Sequence, residues 1–184
     1  MFKSASVAIP LALGACVGGN YPGYAPDLIT YSVGECPLLG ENASATQLTD
    51  SMAVATAHGV PTFLGATVVP GKDISTFPSH YGRPLPRRDP VLGESVHVYG
   101  SSCGGFKQNV AGRVVLLHAW TMYGKERVWG FAIAGHIVPG MSGGPVVGAD
   151  GALLGMVTAI YTSGDIMRLA PGETIGFAYL ASSL

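Results

Sequence analysis

Charge is scarce in this sequence. Its 184 residues carry 10 Lys and Arg against 11 Asp and Glu, a formal net charge of −1. Binding to nucleic acid through phosphates needs clustered cations. The one local concentration, Arg83, Arg87 and Arg88, sits in the Pro-rich stretch from Pro78 to Pro90, which predicts a solvated connection. No nucleic-acid partner is therefore expected. Beyond the N-terminus no long stretch repeats its apolar residues at helical spacing, which argues against an α-helical core. There is no internal repeat and no Cys or His spacing that would ligate a metal, so no metal and no cofactor is expected. The apolar run Val7 to Ala15 is too short to span a bilayer.

What the chain has in quantity is 27 Gly and 13 Pro, which punctuate short β-branched and aromatic runs. Thr67-Val68-Val69, Val96-His97-Val98-Tyr99 and Arg113-Val114-Val115-Leu116-Leu117 are such runs. Strands of this kind, bounded by Gly or Pro, predict an all-β sandwich or barrel.

Two fragments carry chemistry. Gly140-Met141-Ser142-Gly143-Gly144-Pro145 places a serine between glycines and leads at once into Val146-Val147. A nucleophilic serine needs a sharp turn with amide N–H groups aimed at the carbonyl under attack, and glycine permits both. Upstream, Ala55-Thr56-Ala57-His58-Gly59-Val60 ends a run of small residues on a histidine. A G-x-S-x-G pattern also suits the strand-to-helix elbow of α/β-hydrolases, where acid and histidine follow the serine. Here His58, His80, His97, His118 and His136 all precede Ser142, and Pro145-Val146-Val147-Gly148 does not open a helix. The remaining order is His, Asp, Ser.

Several motifs in that order resemble the trypsin-like (chymotrypsin-type) serine peptidases, especially their compact bacterial and viral members. The similarity runs from about Ser51 to Leu180. Ala55-Thr56-Ala57-His58 resembles the histidine motif, and Lys72-Asp73-Ile74-Ser75 the acid-bearing segment. Leu92 to Gly100 and Val110 to Val115 are similar to the first strands of the second barrel. Gly151 to Thr158 resembles the substrate-lining strand, and Ile175 to Ala178 the closing strand. The resemblance implies two small antiparallel β-barrels, at about 31–85 and 91–184, the first expected to be trimmed because its strands before His58 are hard to recognise. It implies a triad of Ser142, His58 and Asp73, an oxyanion hole from the amides of Gly140 and Ser142, and a peptide substrate. Asp89 is the rival acid, but Arg87-Arg88-Asp89-Pro90 reads as a loop in which a carboxylate pairs with its neighbours.

By the same resemblance His136 would lie at the base of the primary pocket, with Thr158 and Ile160 on its wall. Ile160 then argues for a small or shallow-binding side chain, whereas His136 would favour an acidic one. Met141 stands where digestive members of the family carry an aspartate that pairs with a new N-terminal amine, so that route of activation is not expected.

The first 16 residues resemble a bacterial lipoprotein signal. Lys3 precedes the apolar run, and Leu13-Gly14-Ala15-Cys16 is similar to a lipobox whose cysteine is acylated. A plain secretory signal or a buried strand is the alternative. Residues 17–30 would be a tether and 31–184 the peptidase domain. Export to the cell envelope would leave Cys36 and Cys103, either as a disulfide or as two buried thiols. The function expected is an exported, lipid-anchored serine endopeptidase. The rival is a catalytically silent module of the same fold that binds peptide or envelope partners.

Overall fold

The computed structural model describes residues 29–33, 43–59, 65–101, 107–161 and 173–184. The strands are β1 (Ile29–Val33), β2 (Ala43–Thr49), β3 (Met52–Ala55), β4 (Thr67–Val68), β5 (Ser75–Pro78), β6 (Ser95–Ser101), β7 (Lys107–Tyr123), β8 (Glu126–Gly135), β9 (Pro145–Gly148), β10 (Leu153–Tyr161) and β11 (Thr174–Leu180). A single 3-10 turn, Ala181–Ser183, follows β11. Among the described residues no helix is long and apolar enough to cross a membrane. The all-β expectation is met. Cys16, Cys36 and Cys103 lie outside the described residues, as do the signal expected over 1–16 and the tether expected over 17–30, except Ile29 and Thr30, which open β1.

The strands form two sheets. Residues 95–161 and 174–180 close a six-stranded barrel in the order β10-β11-β8-β7-β6-β9. The N-terminal sheet has the order β1-β2-β3-β5-β4 and is open among the described residues. Its strands are short, with four residues in β3 and two in β4, which leaves little edge with which to close a barrel.

Burial explains the sequence patterns. Strand β6 alternates as a one-sided strand should, with Val96 and Val98 inward and Ser95 and His97 outward. Strands β10 and β11 instead read as near-continuous apolar runs because they are covered on both faces. One face fills the barrel with Leu154, Val157 and Ala178, against Val96, Val98, Phe131 and Ile133. The other, with Met156, Phe177 and Tyr179, packs on Leu48, Val54 and Ile74 of the first sheet. This second core holds the ends of β3 and β5 against β10.

Strand β2 hid from sequence inspection because its buried side chains are polar. Ser44, Thr46 and Gln47 are each at most 2% exposed, and all three are hydrogen-bonded. The Pro-rich connection between the sheets is mostly exposed, as its composition suggests, yet two of its arginines are bonded. Arg87 Nη2 donates to Leu48 O at 2.9 Å. Arg88 forks between Glu94 and Asp150, at 2.8 Å and 2.7 Å. These bonds to Arg88 hold Asp150 down to about 2.

Candidate active site

His58 and Asp73 become neighbours through the pairing of β3 with β5. Ala55 lies opposite Ser75 in that ladder. His58 leaves β3 by a turn in which Gly59 N–H donates to Thr56 O at 3.2 Å. Asp73 enters β5 from a turn closed by Val69 N–H on Ile74 O at 2.8 Å. Both residues thus project from one end of the same strand pair, and their separation along the chain becomes a contact.

The contact is tight. His58 Nδ1 lies 2.6 Å from Asp73 Oδ2, and the His58 backbone N–H donates to Oδ1 at 3.0 Å. A third donor comes from the barrel, where Thr158 Oγ1 bonds Oδ2 at 2.6 Å. Beneath them Asp73 N–H donates to the hydroxyl of Tyr179 at 2.9 Å. A carboxylate only accepts, so the proton in the His58–Asp73 bond sits on Nδ1 and leaves Nε2 as the basic nitrogen. The Asp73 side chain is 10% exposed and that of His58 46%. Burial pushes the Asp73 carboxyl up, but the bonds from His58 and Thr158 and the field of His58 outweigh it and hold the group below its usual value. Burial likewise pushes the Tyr179 phenol up to about 12, so it remains protonated beside the carboxylate.

Ser142 sits in the turn between β8 and β9, and the carbonyls from Gly140 to Gly144 are taken up by protein. Gly140 O accepts from Ser44 Oγ at 3.0 Å, Met141 O from Gly144 N–H at 2.9 Å and Ser142 O from Ser44 N–H at 2.7 Å. Gly143 O accepts from Thr46 Oγ1 at 2.9 Å and Gly144 O from Val157 N–H at 3.0 Å. The Gly143 N–H is used as well, on Val157 O at 2.7 Å. The amides of Gly140 and Ser142 take no part in this scheme.

Neither Gly143 nor Gly144 leaves room for a side chain, since a Cβ on Gly144 would stand 2.0 Å from Tyr99 O, and Gly143 is also in the left-handed region. Its φ is 89°, and a Cβ there would stand 1.8 Å from Ser44 O. Met141 is fully buried in the barrel core, an apolar site with no place for the aspartate of the digestive enzymes.

Thr158 joins the pieces. Its side chain holds Asp73, while its main-chain oxygen accepts the Ser142 hydroxyl at 3.4 Å. Beyond the pocket wall expected for it, Thr158 turns its hydroxyl to the acid. Ile160 is half-buried and packs on the barrel core. His136 is exposed on the segment after β8. Asp89 is not near His58 in bonding terms, since its Oδ1 accepts from Ser182 Oγ at 3.0 Å. Among the described residues no group of His, Cys, Asp or Glu is arranged to hold a metal. Ser44, Thr46 and Tyr179 were missed, because nothing in a linear pattern marks a residue whose partner lies some hundred positions away.

An apolar hollow of about 500 Å³ is lined by Val115, Ala119, Trp120, Thr121, Tyr161 and Ile175, and by none of His58, Asp73 and Ser142. It shares β10 with Thr158 through Tyr161.

No protein-family model matches this sequence, and no curated protein matches it either. Solved structures do share its fold. The apo MamO protease domain from Magnetospirillum magneticum superposes with a TM-score of 0.64 at 20% identity, over 88% of this chain and 95% of that one. The active form of the Rv3671c protease from M. tuberculosis gives 0.60 at 18% identity, over 83% and 76%. Its inactive form gives 0.58 at 20%, over 75% and 79%. The chain therefore has the chymotrypsin-like fold of protease domains. That fold accommodates active and inactive states alike, so function has to be argued from the site.

Proposed function

We propose that this protein is a serine endopeptidase that works through Ser142, His58 and Asp73. The observation that carries the proposal is the Asp73–His58 pair at 2.6 Å, tied through Thr158 to the turn bearing Ser142. Asp73 keeps the His58 proton on Nδ1, so Nε2 takes the hydroxyl proton as Ser142 Oγ attacks the scissile carbonyl. The oxyanion is received by the amides of Gly140 and Ser142, each such donor stabilising the transition state by ~3 kcal/mol. His58 then returns its proton to the departing amine, and the acyl-enzyme is hydrolysed by water activated at the same nitrogen.

Peptide is the substrate that suits this surface. Strand β9 pairs with β10 only over Leu153–Met156, so the following residues of β10 have β11 alone as a strand neighbour among the described residues. An extended peptide laid along that edge would gain main-chain hydrogen bonds next to Ser142. Ile160 favours a small primary side chain, and His136 an acidic one. Export and a lipid anchor on Cys16 belong to the same proposal and rest on the sequence motif.

The deciding experiment is labelling with a fluorophosphonate probe, wild type against Ser142→Ala. Labelling is expected in the wild type alone. If native protein does not label at Ser142, the silent peptide-binding module takes its place. Anchoring is checked by the intact mass of protein made in a Gram-negative host, where a mature chain beginning at an acylated Cys16 is expected and an unmodified Cys16 refutes it.

A further inference from the structure

Ser44 lies on the first sheet, 96 positions before Gly140, and is completely buried. A buried hydroxyl is costly unless bonded, and this one is bonded twice. Its Oγ donates to Gly140 O at 3.0 Å and accepts from Ser101 N–H at 2.9 Å, at the end of β6. Its own backbone N–H donates to Ser142 O at 2.7 Å. One small residue thus clamps the carbonyls on both sides of Met141, the only residue between Gly140 and Ser142. The two held carbonyls belong to the Gly140–Met141 and Ser142–Gly143 peptide planes, so Ser44 fixes the planes on either side of the Met141–Ser142 plane that carries the Ser142 N–H. Reorienting the turn would pull the Gly140 carbonyl from a buried donor, and the hydroxyl of Ser44 opposes that.

We infer that Ser44 is a positioning residue that sets the oxyanion-binding orientation of the Gly140–Ser142 turn from the opposite sheet. It touches neither substrate nor nucleophile oxygen. This inference rests on the peptidase reading for its catalytic consequence, but its structural part stands on the turn itself.

The test compares full-length wild type with Ser44→Ala and Ser44→Cys, the latter keeping the side chain's size with a weaker donor. Backbone amide NMR of Gly140, Met141 and Ser142 should show single resonances in the wild type and doubled or exchange-broadened ones in Ser44→Ala, with Ser44→Cys between them. Amide exchange at Ser101 should accelerate in parallel. With a peptide substrate, kcat should fall roughly 10- to 100-fold, somewhat less than the loss of a whole oxyanion donor, while KM changes less than twofold. Unchanged turn amides in Ser44→Ala overturn the inference, as does an unchanged kcat in protein that labels at Ser142. Should the wild type fail to label, the peptidase reading falls, and the amide spectra alone decide the role of Ser44. If Ser44→Ala does not fold, Ser44→Cys carries both measurements under the same criteria.

Discussion

Replacing Gly143 by alanine tests how the nucleophile turn is docked, and the structure gives the size of the effect. At φ 89° an alanine is in a region that L residues disfavour, a cost of ~1–3 kcal/mol. Its Cβ would also stand 1.8 Å from Ser44 O and 2.7 Å from Ser44 C, against the 3.0 Å that real Cβ atoms respect. The obstruction is backbone, so no side chain can swing aside. Moving Ser44 away lengthens its bonds to Ser142 O and Gly140 O, and this overpacking adds ~1–3 kcal/mol or more. The sum is ~2–6 kcal/mol. For a chain of this size it should lower the midpoint of thermal unfolding by roughly 4–24 °C. Gly151→Ala is the matched control, because Gly151 has φ 82° but nothing within 4 Å of its added Cβ. It should lose only the strain, ~1–3 kcal/mol. Urea unfolding followed by circular dichroism measures both variants. If Gly143→Ala loses no more stability than Gly151→Ala, the turn is not seated on Ser44 as described.

Other perturbations probe the charge network and the core. Asp73→Asn should leave the fold intact and lower kcat by ~10⁴, the loss expected when the histidine is held in the wrong tautomer, whereas Asp89→Asn should cost less than tenfold. The same variant bears on acid stability. Because folding holds the Asp73 carboxyl below its ordinary 3.8, its stabilisation is complete above that pH and is lost as pH falls through the lower folded-state value. Urea titrations below pH 3.8 should therefore show a shallower decline in Asp73→Asn than in wild type. Thr158→Val keeps the volume but removes one donor to the carboxylate, so kcat should drop roughly 10- to 100-fold with KM little changed, as measured by steady-state kinetics. Met141→Asp would bury an unpaired carboxylate in the barrel core and should destabilise by about 4 kcal/mol, more at pH 8 than at pH 4, in urea unfolding.

Local chemistry made much of this protein legible from residues alone. Glycine and proline bounding β-branched runs announce strands, since those side chains suit a pleated surface and those breakers end it. The alternation in β6 and the apolar runs of β10 and β11 are visible because side chains follow the period of the backbone. The order of His58, Asp73 and Ser142, and the glycines around the serine, are readable for the same reason: a turn and a residue type are short-range properties.

What escaped depends on partners remote in sequence. Strand β2 has no apolar alternation because its buried Ser44, Thr46 and Gln47 satisfy themselves on Gly140, Gly143 and Ser79, and only folding brings those acceptors to them. The bond from Thr158 to the acid exists only once β10 is placed against the ends of β3 and β5, where its hydroxyl meets Asp73. The partners of Arg88 in the connection, Glu94 and Asp150, come to it only through folding. A residue's own type states what it is able to donate or accept. Which group it meets is a property of two sheets packing face to face, and in this protein that packing alone decided how the acid is held and how the nucleophile turn is oriented.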